Sequence, residues 1–457
     1  MENSNKIQDI KMQLKKFQII LSIAFTGFLL ANCEKENKAV TQKNPEIPSV
    51  QKLSNEQLLD TLQLYTFKYF WDFAHPSSGM IRERSNGDNN IVTSGGSGFG
   101  VMAIIVGIKR GFISREEGAD RILKITNFLL NSDRFHGAFP HWYNANSGKV
   151  QPFSNLDNGG DIVETAFMIQ GLLTAKSFFN LENEKEDQLR LEIQTLWEDV
   201  EWDWYIQSGK NVITWHWSPN YNFQINLNVS GYNESLIVYV LASSSPTYPI
   251  EASTYHSGWA RNGAIRNNKR FYDINLPLGE DKGGPLFFSH YSFLGLNPRG
   301  LSDTYANYEE QNINHTLINR QYCIENPKGW QNYSAVVWGL TASDNHRGYS
   351  AHSPNNDLGV ITPSAAISAM PYTPEFSFQV LRHFYENLKE KTWGPYGFYD
   401  AFNQTENWYS KAYLAIDQGP IIIMVENYRS QLLWNHFMNN EEVISGLQKL
   451  DFIGPNF

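Results

Sequence analysis

Apolar residues recur along most of this chain with the 3.6-residue period of helices that bury one face. After Ser54, a good N-cap, Leu58, Leu62, Tyr65 and Tyr69 form a stripe at i, i+4, i+7 and i+11 that ends near Pro76. From Gly98 to Lys109 the chain is apolar on nearly all sides and stops at Gly111; Ser114 with Glu117 then makes a capping box for the next helix. The same reading predicts helices at 161–179, 184–205, 231–243, 251–260, 304–325, 334–340, 364–370, 375–390, 418–433 and 441–450, about thirteen in all. Strand signals are few and local, which disfavours folds built on strand-helix alternation.

Helices apolar all round alternate with amphipathic ones, the pattern of an inner helical ring covered by an outer one. About six pairs would close such a ring. Four long non-helical stretches, 207–230, 262–302, 341–362 and 392–412, carry much of the Trp, Tyr, His, Gly and Asn. Loops of that length within a folded domain usually carry function. No internal repeat and no composition shift marks a second folded domain, so residues 54–457 read as one domain.

The first 32 residues read as an export signal rather than as part of the fold. Lys11, Lys15 and Lys16 precede an apolar stretch, Phe17–Ala31, that is shorter than the ~20 residues a spanning helix needs. Leu30-Ala31-Asn32-Cys33 resembles a bacterial lipobox, although Asn32 stands where a small residue is usual; Cys33 would then be lipidated and become the N-terminus. Residues 33–53 read as a solvated tether, and Glu34-Lys35-Glu36-Asn37 resembles a short acidic surface-export signal. The expected location is the outer membrane of a Gram-negative bacterium, on its periplasmic or outer face, with the membrane reached through the lipid alone. With Cys33 so used, only Cys323 remains, which leaves no internal disulfide and no cysteine-type zinc site. No metal and no cofactor is expected.

Composition narrows the partners further. A net charge of -10 gives no electrostatic footprint for nucleic acid, and 64 aromatics in 457 residues favour a neutral oligo- or polysaccharide that stacks on rings. The protein is expected to act as a monomer.

The densest chemistry lies in Asn155-Leu156-Asp157-Asn158-Gly159-Gly160-Asp161-Ile162-Val163-Glu164, where Asp157, Asp161 and Glu164 recur at helical spacing. Asp161 with Glu164 also satisfies a capping box, which leaves Asp157 unexplained. Glu234 stands at the start of a very apolar helix, after a loop containing Trp215-His216-Trp217. A carboxylate there stabilises a helix N-terminus, but one desolvated by aromatics can also stay protonated as a general acid. Asp417, opening Ile416-Asp417-Gln418-Gly419-Pro420, carries the same two readings. Two acids in different surroundings beside stacking rings are what glycoside hydrolysis requires. Trp215, Trp217, Tyr291 and Trp393 are the candidate stacking residues, and His290 and Arg82 the candidate donors to sugar hydroxyls.

Four separated segments, in order, resemble the bacterial glycoamylase-like domain, and within it the endo-β-1,2-glucanase family. They are the run from Gly284 to Gly295, Trp338–Asp344, Trp393–Phe402 and Ala415–Arg429. The resemblance covers about residues 55–450 and implies an all-α (α/α)6 toroid with aromatic-rich loops over one rim and an inverting glycoside hydrolase. It also implies functional roles for Asp157, Asp161, Glu164 and Glu234, with Asp417 as the candidate base, and passage of a proton through a substrate hydroxyl. Three other readings stay open from sequence: a hydrolase of another glucosidic linkage, of glucoamylase or β-glucosidase type; a non-catalytic glycan-binding surface lipoprotein; and a polysaccharide lyase. The carboxylate cluster weighs against the last two.

Overall fold

Alternating inner and outer helices dominate the computed structural model, which describes residues 52–455 and 457. The helices are α1 (Asn55–Trp71), α2 (Ser94–Lys109), α3 (Arg115–Leu130), α4 (Ile162–Phe178), α5 (Glu184–Glu198), α6 (Leu236–Ser244), α7 (Tyr308–Glu325), α8 (Pro363–Ser368), α9 (Pro374–Asn387), α10 (Ala415–Ser430), α11 (Leu432–Phe437) and α12 (Glu441–Lys449). Leu53–Phe457 make one folded unit. The signal, Cys33 and nearly all of the tether lie outside the described residues. Among the described residues no helix is long and apolar enough to cross a membrane.

The ring follows from which faces are apolar. Helix α2 is buried from Ser94 to Gly107 because α4 and α10 flank it, while α8 packs on α10 and α6 on α4. The outer helices α1, α3 and α5 bury one face each, and Ser54 and Ser114 close capping boxes with Gln57 and Glu117. The architecture is an (α/α)6 toroid. The tightest inner crossing needs glycine: a Cβ on Gly98 would lie 2.2 Å from the Phe167 carbonyl oxygen of α4, and one on Gly171 would lie 2.2 Å from the Gly98 oxygen.

The expected helix at 334–340 does not form. Ser334 and Val337 close a turn, and Gly339 takes φ +125° against α8, so this run is coil, buried only from Val337 to Leu340. Helix 184–205 ends at Glu198 and continues as a separate 3-10 turn, Trp202–Tyr205. The long loops fold into short antiparallel pairs. A three-stranded sheet joins β1 (Ile91–Thr93), β2 (Trp142–Asn144) and β3 (Lys149–Gln151). Strands β4 (Gly160–Asp161) and β5 (His216–Trp217) pair Asp161 with His216, and β6 (Arg266–Phe271) pairs with β7 (Ile274–Leu278). Strands β8 (Ala342–Asn345) and β9 (Gly348–Ala351) form a hairpin with Asp344 opposite Tyr349. Strand β10 (Trp393–Gly394) pairs with β11 (Gly397–Phe398), and β12 (Phe402–Asn403) with β13 (Trp408–Tyr409).

Candidate active site

A cavity of about 580 Å³ opens where the loops meet the ends of the inner helices. Its lining includes Glu83, Arg84, His141, Trp142, Phe153, Glu164, Trp215, Glu234, Phe287, Tyr291 and Tyr349. Trp215, Trp142 and Phe153 give it flat apolar faces; the half-exposed Phe153 ring stacks on His141 at 4.1 Å. Ring faces beside carboxyl groups suit a ligand with apolar faces and hydroxyl edges.

One wall is built by the start of α4. The Asp161 carboxylate caps the helix, accepting from the amides of Val163 (3.0 Å) and Glu164 (2.9 Å). The predicted capping box is only half made. Glu164 turns away and its Oε2 accepts from the Gly95 amide at 2.6 Å and the Thr93 hydroxyl at 3.3 Å. Gly95 is required for that approach, since a Cβ there would stand 2.7 Å from Glu164 Oε2.

Two histidines far away in sequence complete this wall. His141 Nδ1 lies 2.9 Å from Asp161 Oδ2, and His216 Nε2 lies 3.1 Å from Asp157 Oδ2 and 3.3 Å from Asp161 Oδ2. Burial alone would raise Asp161, but His216 and His141 hold it far below the usual carboxylate range. Burial would lower the imidazoles; instead Asp161 and Asp157 lift His216 to about 10, and Glu164, Asp161 and Asp157 lift His141 to about 9. Both are therefore cationic at neutral pH and balance the two aspartates. The ligand atoms of His141, Asp157, Asp161 and His216 lie within 4.8 Å of one another, so this donor set could take a divalent cation in exchange for two protons. The sequence reading named no metal ligands. Strand pairing β4–β5 brings His216 to Asp161, and His141 joins them from just before β2; only Asp157 and Asp161 are close in sequence.

Glu234 sits two residues before α6 and faces the cavity. Its carboxyl is pushed up to about 7, chiefly by burial and further by the negative charges of Asp161 and Glu164. Helix-end stabilisation of an ionised carboxylate would move it the other way. Such a carboxyl holds a proton available for transfer near neutral pH.

A second acidic group acts on Tyr291. Asp417, 2% exposed and in the first turn of α10, does not cap that helix: its Oδ1 accepts from the Ser364 hydroxyl at 3.1 Å. Burial pushes it up to about 7, against hydrogen bonds from Asp400 and Ser364. Arg84 donates to Glu83 Oε2 at 3.0 Å and Asp344 Oδ1 at 3.2 Å, which fixes the rim beside it. The phenol of Tyr291, on the cavity lining with Glu234, is raised by burial and by Asp417, Tyr349, Glu234 and Glu164.

The structure thus gathers Glu164, Glu234, Trp215 and Tyr291 on the cavity wall, with Asp157, Asp161 and Asp417 buried behind it. The other four candidates are not on this cavity's lining. Trp217 packs edge-on against His136 and Trp204. Trp393 is wedged between Tyr65, Tyr385 and Phe398. His290 is buried, and burial drops its imidazole to about 3, so it is neutral and away from the lining. Arg82 staples backbone, donating to the Asn89 and Phe73 carbonyls. Conversely, Glu83, Arg84, Tyr349, His141 and His216 were not singled out by sequence. Asp344 closes one of the resembling segments and Asp400 lies inside another, with no spacing that marks either as part of the site.

Comparison with known proteins agrees with this architecture. The glycoamylase family model, described as "Putative glucoamylase", matches residues 226–441. An exo beta-1,2-glucooligosaccharide sophorohydrolase (non-reducing end) of Parabacteroides distasonis is 46% identical over 422 residues, 88% of this chain; the chain spans 58% of the length of that relative. The endo-beta-1,2-glucanase of Chitinophaga pinensis, solved with sophorotriose and glucose, is 56% identical over 89% of this chain and 100% of its own, with TM-score 0.87. A Talaromyces funiculosus endo-beta-1,2-glucanase, 13% identical with TM-score 0.63, shares the fold. By its helical toroid, its acid-lined cavity and its full-length match to the Chitinophaga pinensis enzyme, this chain belongs to the glycoamylase-like family.

Proposed function

We propose that this protein is a glycoside hydrolase that cleaves β-1,2-linked glucan with inversion, Glu234 being the general acid. The observation that carries the reading is the Glu234 carboxyl, held protonated up to about pH 7 on a cavity wall beside Trp215. A glucosyl unit stacked on Trp215 would place its glycosidic oxygen toward that proton, and protonation lets the leaving alcohol depart neutral. Asp417 is the base in this account. As the resemblance to endo-β-1,2-glucanases implies, the proton of the attacking water would reach it through a substrate hydroxyl. Its electrostatic partners are Asp400, Asp344 and Arg84, whereas those of Glu234 are Asp161 and Glu164. Two acidic groups with separate partners, one to donate and one to accept a proton, are what inversion requires.

The β-1,2 linkage is supported by the relatives' names, which include both an exo-acting sophorohydrolase and an endo-glucanase. Purified protein incubated with β-1,2-glucan, laminarin, cellulose oligomers and starch tests the assignment by its product profile. Reducing ends released from β-1,2-glucan alone support it, and cleavage of starch alone overturns it. Sophorose as sole early product would mean exo action, and a ladder of lengths endo action. Lipidation at Cys33 and an outer-membrane location are part of the same proposal, supported by the lipobox-like run before Cys33.

A further inference from the structure

Behind the cavity, Asp400 and Asp417 meet from separate elements, Asp400 just after β11 and Asp417 on α10. Both are 2% exposed and their carboxyl groups are in hydrogen-bond contact. The outer oxygens are accounted for: Asp400 Oδ2 accepts from the Asp344 amide at 2.7 Å, and Asp417 Oδ1 accepts from the Ser364 hydroxyl at 3.1 Å. The remaining oxygens, Asp400 Oδ1 and Asp417 Oδ2, are buried with no other donor among the described residues. Two ionised carboxylates are acceptors only, so this contact is satisfied by one proton between them.

We propose that Asp400 is a positioning residue that keeps a proton on Oδ1 and donates it in a hydrogen bond to Asp417 Oδ2, fixing Asp417 as the ionised member of the pair. The role for Asp417 rests on the proposed hydrolytic reading; the shared proton rests on the burial of the two carboxyls, their unpartnered oxygens and their mutual contact. Which member keeps the proton follows from the surroundings. Asp417 gains two hydroxyl donors in this arrangement, from Ser364 and from Asp400, and feels the Arg84 cation. Asp400 is raised by burial and then by the charges of Asp417 and Asp344. The other titratable groups acting here are the phenols of Tyr291 and Tyr349 and the Glu83 carboxyl; Tyr349 registers Asp417, Asp400, Glu83 and Asp344 together. A neutral donor at 400 prepares Asp417 to accept a proton while keeping the pair at a single negative charge, which two ionised carboxylates in contact would not tolerate.

Asn at 400 can still donate to Asp417, whereas Leu cannot. The acid limb of kcat/KM on β-1,2-glucan should therefore stay in place for Asp400→Asn, with activity within about fivefold of the parent. For Asp400→Leu the limb should move about one pH unit upward, with roughly tenfold lower kcat/KM on its acid side. An acid limb unmoved in Asp400→Leu, or loss equal in both variants at every pH, overturns the proposal. Infrared difference spectroscopy gives a readout independent of turnover and of the Leu variant's folding. At about pH 8, parent minus Asp400→Asn should show the carbonyl stretch of a neutral carboxylic acid, and Glu234→Gln should retain that band. Absence of the band overturns the shared proton. A parent enzyme inert on β-1,2-glucan but showing the band would defeat the hydrolytic reading and leave the pair intact.

Discussion

Replacing Glu234 by Gln separates the cost of burying this carboxyl from the use the active site makes of it. The unfolded carboxyl ionises at its ordinary 4.5 and the folded one at about 7, because burial penalises the charged form. As pH rises between those values the unfolded chain gives up its proton first, so Glu234 lowers stability progressively, and above pH 7 the whole penalty is present. With one pKa unit equal to about 1.36 kcal/mol, the penalty is about 1 kcal/mol at pH 5 and about 3 kcal/mol at pH 8. Gln keeps the shape and never ionises. The variant should gain roughly 2 kcal/mol more at pH 8 than at pH 5, a difference of about 2–3 °C in melting shift for a domain of some 400 residues. The same variant should lose about 10²–10⁴ in kcat on β-1,2-glucan, since an amide cannot protonate the leaving oxygen. Calorimetric melts of both proteins at the two pH values, paired with reducing-end assays, measure both effects. An identical melting offset at both pH values would refute the buried-acid argument, and near-parental turnover would remove Glu234 from the chemistry.

Other consequences follow from the packing and charges. Gly98→Ala puts a methyl group against the Phe167 carbonyl at the α2–α4 crossing and should cost on the order of 2 kcal/mol in urea unfolding. His216→Gln leaves Asp161 and Asp157 with His141 as their one remaining cationic partner among the described residues and should destabilise by about 3 kcal/mol at pH 7. Because the folded His216 titrates at about 10 against 6.5 unfolded, that loss should be full below pH 6.5 and fade as pH rises through 10 in paired urea titrations. Cys33→Ser should shift the protein from the membrane to the soluble fraction or stall its processing; membrane retention with normal maturation would point to a different anchor.

Sequence revealed what local periodicity and spacing encode. The 4-then-3 spacing of Asp157, Asp161 and Glu164 leads to the cavity wall, and all-round apolarity marks α2 and α4 as inner helices. The capping-box reading failed at Glu164 because the Gly95 amide, 69 residues away in sequence, offers it a shorter bond. Partners of that kind are created by ring closure: His141 and His216 on Asp161, Asp400 on Asp417, Arg84 on Asp344. No spacing rule reaches across them. Aromatic residues misled for the opposite reason, because Trp393 and Trp217 in loops bury their faces against other rings as readily as against a sugar. The run 334–340 has helical apolarity but meets Gly339 at positive φ, where the chain turns against α8.

The central claim, inverting hydrolysis of β-1,2-glucan from two separate acidic groups, is tested most directly by early-time proton NMR of the products released from β-1,2-glucan. The account predicts that the newly formed reducing end first appears as the α anomer and only later mutarotates. A β anomer at first turnover, or a trapped glycosyl-enzyme, would contradict it.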